Sequence, residues 1–245
     1  DPSYFRHAGR PVLSTYAGEA GGAAVALPFW RDEVLSPLRD AGIDPFFVPG
    51  FFMTNFALVT PQTVEADYQS WWRQVIDGAF FFGAAGLPVD GGTSLAAQNE
   101  ALAAGMHAHQ KIAMASVTPQ YWGGKQPTAG RRYYEFNGGE GLEAQWRSII
   151  EVQQADWVEL VTWNDFGEAS YFTPCDDVNQ YWPYEYVTVP GFFPSHAGAS
   201  ALQRYFIEWY RTDRQPPITR DALFYFYRTH PWQAVASADP HGAVT

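Results

Sequence analysis

Cysteine is nearly absent: Cys175 stands alone in 245 residues. No intrachain disulfide can form, no multi-cysteine zinc site is possible, and the redox compartment is left open. Charged residues are sparse at 17%, against 47% apolar residues, a balance that excludes a disordered chain. No run of eighteen apolar residues occurs, so membrane insertion is not expected. The first residues, Asp1-Pro2-Ser3-Tyr4, lack the basic and apolar regions of a signal peptide. Positive charge is short, with Lys111 and Lys125 the only lysines, a net charge of -11 and a pI near 4.8. Nucleic acid and anionic membranes both need a basic patch, so neither is an expected partner, whereas a neutral polymer is compatible. Nucleotide-binding glycine loops and the Gly-x-Ser-x-Gly elbow are missing too, and no cofactor is expected.

Aromatic side chains are abundant. They make up 17% of the chain, with ten Trp and fourteen Tyr, and many lie beside Gly, Pro, Asn or Asp, where loops are expected. Such rings suit the apolar faces of sugars, and they serve equally in core and rim packing.

Short apolar runs at Pro11 to Tyr16, Pro45 to Pro49, Ala79 to Gly83, Ile112 to Val117 and Trp157 to Trp163 read as buried parallel strands. Helical patterns fall between them at Phe29 to Ala41, Val64 to Ile76, Ser94 to His109 and Leu142 to Gln154, with another at Ala199 to Tyr210. The alternation predicts βα units. Their spacing of about thirty-three residues fits an α/β chain of the (β/α)8 TIM-type barrel class, which takes about 250 residues for eight units. Five units are visible. The expectation is therefore that residues 1–245 are a single C-terminal portion of a (β/α)8 catalytic barrel. About three N-terminal units, on the order of 90 to 100 residues, would be missing or supplied by another polypeptide. An open, doubly wound sheet is the alternative.

The densest chemistry lies where the last strand, Trp157-Val158-Glu159-Leu160-Val161-Thr162-Trp163, runs into Asn164-Asp165-Phe166-Gly167-Glu168-Ala169-Ser170-Tyr171. Glycoside hydrolysis needs one carboxylic acid to protonate the leaving oxygen and one carboxylate to activate water or attack carbon, so Asp165 and Glu168 are suitable. A helix cap or an arginine partner is the competing role for such an aspartate. Glu19 after the first strand and Asp90 after the third are placed to bind substrate. A helix-approach or ion-pair role competes for Glu19, and a turn role for Asp90. His107 and His109, two apart on a helix, point to different faces, which opposes shared metal ligation. No array has metal-ligand spacing, so no metal site is expected. Long loops at Gly123 to Arg132 and Pro174 to Pro194 follow strands, which in a barrel places them on the active face.

On these residues the chain resembles glycoside hydrolase family 71, the α-1,3-glucanases or mutanases. The matching stretches are Pro11-Val12-Leu13-Ser14-Thr15-Tyr16-Ala17-Gly18-Glu19, Ser116-Val117-Thr118-Pro119-Gln120-Tyr121-Trp122, Val161 to Tyr171, and Tyr225-Phe226-Tyr227-Arg228-Thr229-His230-Pro231. The resemblance implies a secreted (β/α)8 enzyme that cleaves α-1,3-glucan with inversion, its partner being that glucan or a related polysaccharide. It implies Glu168 as general acid and Asp165 as general base, the order of roles staying open. An inverting pair stands roughly 6.5 to 9.5 Å apart to admit a water. Tyr121, Trp122, Trp163, Tyr171, Tyr181 and Trp182 are candidate substrate contacts, chiefly for stacking on glucose rings, and Asn164 and His196 for hydrogen bonds to hydroxyls. The family's further aspartate on an earlier strand has no counterpart here. Two other readings stay in view: a non-catalytic glucan-binding barrel, and a metal-dependent hydrolase using His107, His109 or His196 with Asp165.

Overall fold

A computed structural model describes residues 3–18, 22–50, 59–70, 72–82, 93–122, 133–134, 137–174 and 196–224. Five parallel strands stand side by side in chain order: β2 (Arg10–Thr15), β3 (Phe46–Pro49), β4 (Gly78–Phe80), β5 (Ile112–Val117) and β8 (Trp157–Leu160). A parallel bridge between Gly50 and Phe80 joins β3 to β4. The short β1 (Arg6–His7) folds back antiparallel on β2 through a turn whose two residues, Ala8 and Gly9, have positive φ of 48° and 79°. Beyond β5, the two-residue strands β6 (Tyr121–Trp122) and β7 (Tyr133–Tyr134) pair with each other. The five expected strands are thus present, with β5 at the predicted bounds and β8 ending three residues earlier than expected. After Leu160 the Val161 amide still donates to Val117, but the Thr162 amide turns away to Ser170.

Helices separate the strands: α1 (Ala23–Pro28) continuing through a π turn (Phe29–Leu35) into α2 (Ser36–Asp40), α3 (Pro61–Ser70), α4 (Thr93–Ala108), α5 (Glu140–Arg147) with a π turn (Ser148–Gln153), and α6 (Ala197–Thr212). The first begins six residues before its predicted start. Pro28 lies inside the helix, at its last position before the π turn. Helix α3 starts at Pro61, capped by reciprocal hydrogen bonds between Thr60 and Thr63, so its first turn has no apolar stripe to betray it.

Strand residues alternate between two apolar environments. Phe47, Ala79, Phe81 and Ala113 pack outward against Leu35, Trp72, Leu102 and Met106. Ala115 and Val117 pack against Leu142, Trp146, Ile149 and Phe206. On the other face Phe46, Val48, Phe80, Met114 and Trp157 form a separate cluster. Phe46 and Trp157 have ring centroids 5.9 Å apart although three strand spacings, about 14 Å in a flat sheet, separate β3 from β8. The sheet is therefore strongly rolled. His7 of β1 closes the base of this concave face, 4.5 Å from Phe46 and 5.3 Å from Trp157.

The N-terminal ends of the strands are tied by one repeated device. Asp77, just before β4, brackets Phe47 with its own amide and carboxylate, and Asp156, just before β8, brackets Ala113 in the same way. Arg10 grips both Asp77 oxygens at 2.9 and 2.8 Å and also reaches the Pro45 carbonyl. Its hydrogen bond to Asp77 raises the guanidinium pKa further, so Arg10 stays charged. The opposite, C-terminal end is thus left for chemistry.

Candidate active site

The turn after β8 is built by its own side chains. The Thr162 hydroxyl accepts the Asp165 amide at 2.8 Å, and Asp165 Oδ1 accepts the Glu168 amide at 3.0 Å. Backbone bonds from Thr162 to Ser170 (2.7 Å), Phe172 to Thr162 (2.8 Å) and Thr173 to Trp163 (3.1 Å) close the base of the loop. No helix begins at Asp165; its carboxylate instead closes this turn, which occupies one oxygen. Both carboxylates are half-buried and rise from one turn at the C-terminal end of a parallel strand. Tyr121 of β6, four residues beyond the end of β5, donates its hydroxyl to Glu168 Oε1 at 3.3 Å.

The remaining predicted residues separate into groups. Trp163 is 65% exposed, and Asn164 beside it is exposed as well. Trp163 borders a cleft of about 200 Å³ lined also by Leu160, Thr162, Phe172, Ser200, Gln203 and Ile207. Tyr171 is 1% exposed, its ring stacked on His196 at 3.8 Å with Phe166 4.9 Å away. In this arrangement Tyr171 is an internal ring, since the stack with His196 occupies the face a sugar would need. His196 Nδ1 contacts the Tyr171 carbonyl at 2.5 Å and Nε2 contacts Gln120 at 3.3 Å. Burial lowers the His196 pKa, against the opposing effect of the Tyr171 carbonyl, so the ring is held neutral. The backbone of Trp122 lies in β6. Its side chain, together with Glu19, Asp90, Tyr181 and Trp182, lies outside the described residues.

His107 at the end of α4 and His109 just past it are not drawn together. His107 meets Asp156 at 3.0 Å, whereas His109 meets Glu65 at 2.6 Å and stacks on Tyr68. Among the described residues no group of three or more His, Cys, Asp or Glu could hold a metal ion. Two polar residues near the C-terminal end of the sheet were not singled out from the sequence. Gln145 on α5 pairs with both the amide and the carbonyl of Thr118 at 2.9 Å, extending β5 by a side chain. Glu159 lies in a strand whose other residues are apolar, and that departure from the pattern is the signal that could have marked it.

The fold is one found among glycoside hydrolases. Two solved structures of the GH99 endo-alpha-mannosidase from Bacteroides thetaiotaomicron superpose with a TM-score of 0.58 each, at 17% and 16% identity. Each match covers 86% of this chain, and 57% and 61% of those chains. The chain itself belongs to glycosyl hydrolase family 71, whose model matches residues 1–244. It is 25% identical over 241 residues to glucan endo-1,3-alpha-glucosidase agn1 of Schizosaccharomyces pombe, covering 97% of this chain and 51% of that protein. A 101-residue stretch is 28% identical to mutanase Pc12g07500 of Penicillium rubens, covering 39% of this chain and 21% of that protein. The chain thus spans about half the length of the first of these relatives and a fifth of the second.

Proposed function

We propose that the protein hydrolyses α-1,3-glucosidic bonds of glucan with inversion at the anomeric carbon, and that it acts outside the cell. The observation that carries this reading is the Asp165 and Glu168 pair, fixed in one turn at the C-terminal end of β8 in a family 71 chain. Glu168 serves as the general acid, protonating the leaving glycosidic oxygen. Asp165 serves as the general base, taking a proton from the water that attacks the opposite face of the sugar. Among the described residues Asp165 Oδ2 has no protein partner, which suits an atom that must accept a proton from water. Tyr121 orients Glu168, and exposed Trp163 offers a ring to the substrate. The rolled parallel sheet supports a (β/α)8-type barrel, with the active site at the C-terminal face.

The test is release of soluble sugar from insoluble α-1,3-glucan, with β-1,3-glucan and starch as controls and the first-formed anomer read by NMR. β-Configured product from α-1,3-glucan alone is expected. Glu168→Gln should lower the rate by about 10²- to 10⁴-fold without changing the circular dichroism spectrum. Near-normal turnover in that variant would remove Glu168 from its role, and retention of glucan without sugar release by the wild type would favour a binding module.

A further inference from the structure

The concave face of the sheet is apolar at its base, where Phe46, Phe80, Met114 and Trp157 meet. One layer closer to the C-terminal end, Glu159 of β8 stands on that face in register with Ser116 of β5. The fully buried Ser116 hydroxyl lies within hydrogen-bond reach of two oxygens, the Phe81 carbonyl at 2.6 Å and Glu159 Oε1. A serine hydroxyl carries one proton, and a carbonyl can only accept. The Ser116 proton therefore goes to Phe81, and the contact with Glu159 is satisfied only if the carboxyl donates in return. Hydrogen bonds then run in one direction from Glu159 through Ser116 to Phe81, tying β8 to β5 and to the end of β4.

We infer that Glu159 is held as a neutral carboxylic acid, and that this tie positions the turn bearing Asp165 and Glu168. The positioning role rests on reading those two residues as the catalytic pair; the protonation state does not. Glu159 lies three residues before Thr162, whose hydroxyl holds the Asp165 amide, so a shift of β8 passes directly into the turn. Burial acts in the same direction as the proton count and is the larger effect, pushing Glu159 up to about 7, although Ser116 would donate to the ionised carboxylate and so opposes the shift.

No other ionisable side chain lies within β4, β5 or β8. Asp77, Lys111 and Asp156 precede those strands at the far, N-terminal end. His7 packs on Trp157 at the base, Tyr16 packs on Phe82, and Asp165, Glu168 and Tyr121 stand beyond the strand ends. Once Glu159 ionises, its carboxylate and the Phe81 carbonyl compete for one hydroxyl proton, and one of the two links in the tie is lost.

The experiment uses the whole chain labelled with ¹³C at the glutamate side-chain carboxyls and titrated by NMR. One resonance, absent from Glu159→Gln, should titrate near pH 7. A Glu159 resonance titrating in the ordinary glutamate range overturns the inference. Glucan hydrolysis supplies the second arm: kcat of the wild type should fall about tenfold between about pH 6 and about pH 8 with KM little changed. Glu159→Gln, whose amide donates to Ser116 at every pH, should lose that limb. A variant with the wild-type profile overturns the positioning role. If the variant does not fold, the titration of the wild type decides the protonation state. Absence of hydrolysis by the wild type overturns the proposed function and the positioning role together, and leaves the titration decisive for the neutral acid.

Discussion

Gln145 offers a quantitative test of how the active end of the sheet is assembled. Its side chain is 1% exposed and sits against Thr118, which is fully buried. The side-chain oxygen accepts the Thr118 amide, while the side-chain nitrogen donates to the carbonyls of Thr118 (2.9 Å) and Gly141 (3.1 Å). Gln145→Leu keeps most of the volume and removes every one of these partners. The Gly141 carbonyl retains its bond within α5, but both backbone groups of Thr118 are left buried without partners. Each costs about 1–3 kcal/mol, so a loss of roughly 2–6 kcal/mol is expected, a large share of a stability of about 5–15 kcal/mol. Urea unfolding followed by tryptophan fluorescence should show the midpoint lowered by about 1–2 M with the slope unchanged. The exposed Gln69→Leu on α3 is the control, expected within about 0.5 kcal/mol of wild type. A loss under about 1 kcal/mol for Gln145→Leu would refute the reasoning that this side chain acts as the terminal partner of β5. Tyr121 follows three residues later and touches Glu168, so the same variant should also lower any hydrolytic rate.

Other consequences are open to simple measurement. A methyl group on Gly105 of α4 would lie 2.3 Å from Val64 Cγ1 of α3, so Gly105→Ala should cost about 1–3 kcal/mol by overpacking. Adding Val64→Ala should recover much of that loss, and strict additivity in urea melts would contradict the close approach. His196 is held below its ordinary pKa by burial, so the unfolded chain binds its proton more readily. The stability this group contributes is present above about pH 6.5 and is lost as the pH falls below that value. Glu159 acts with the opposite sign: its stabilising contribution is full below its unfolded value and is lost as pH rises through about 7. Urea midpoints compared between wild type and His196→Gln isolate the histidine. The difference between the two should shrink on acidification, and a constant difference would count against a buried neutral ring.

Much of the architecture was legible from local pattern. The strands at Ile112 to Val117 and Pro45 to Pro49, and the helix at Ser94 to His109, were readable because residues buried on both faces form continuous apolar runs and helices repeat at their own period. Boundaries failed at the helix that holds Pro28, and at the Thr60 and Thr63 cap, where local chemistry overrode the pattern. Asp165 and Glu168 were legible because both sit in one short segment, so a single turn can bring them together.

By itself, then, the sequence determined the family, the order of strands and helices, and the placing of Asp165 and Glu168 in one short segment, since each depends on residues near one another along the chain. Only the tertiary structure decided that Tyr171 lies buried on His196 rather than open to a sugar, and that His107 and His109 bind separate carboxylates. It alone brought Ser116, Phe81 and Glu159, from three strands, around one proton. Strand register and side-chain direction set those contacts, and neither is written in any single segment.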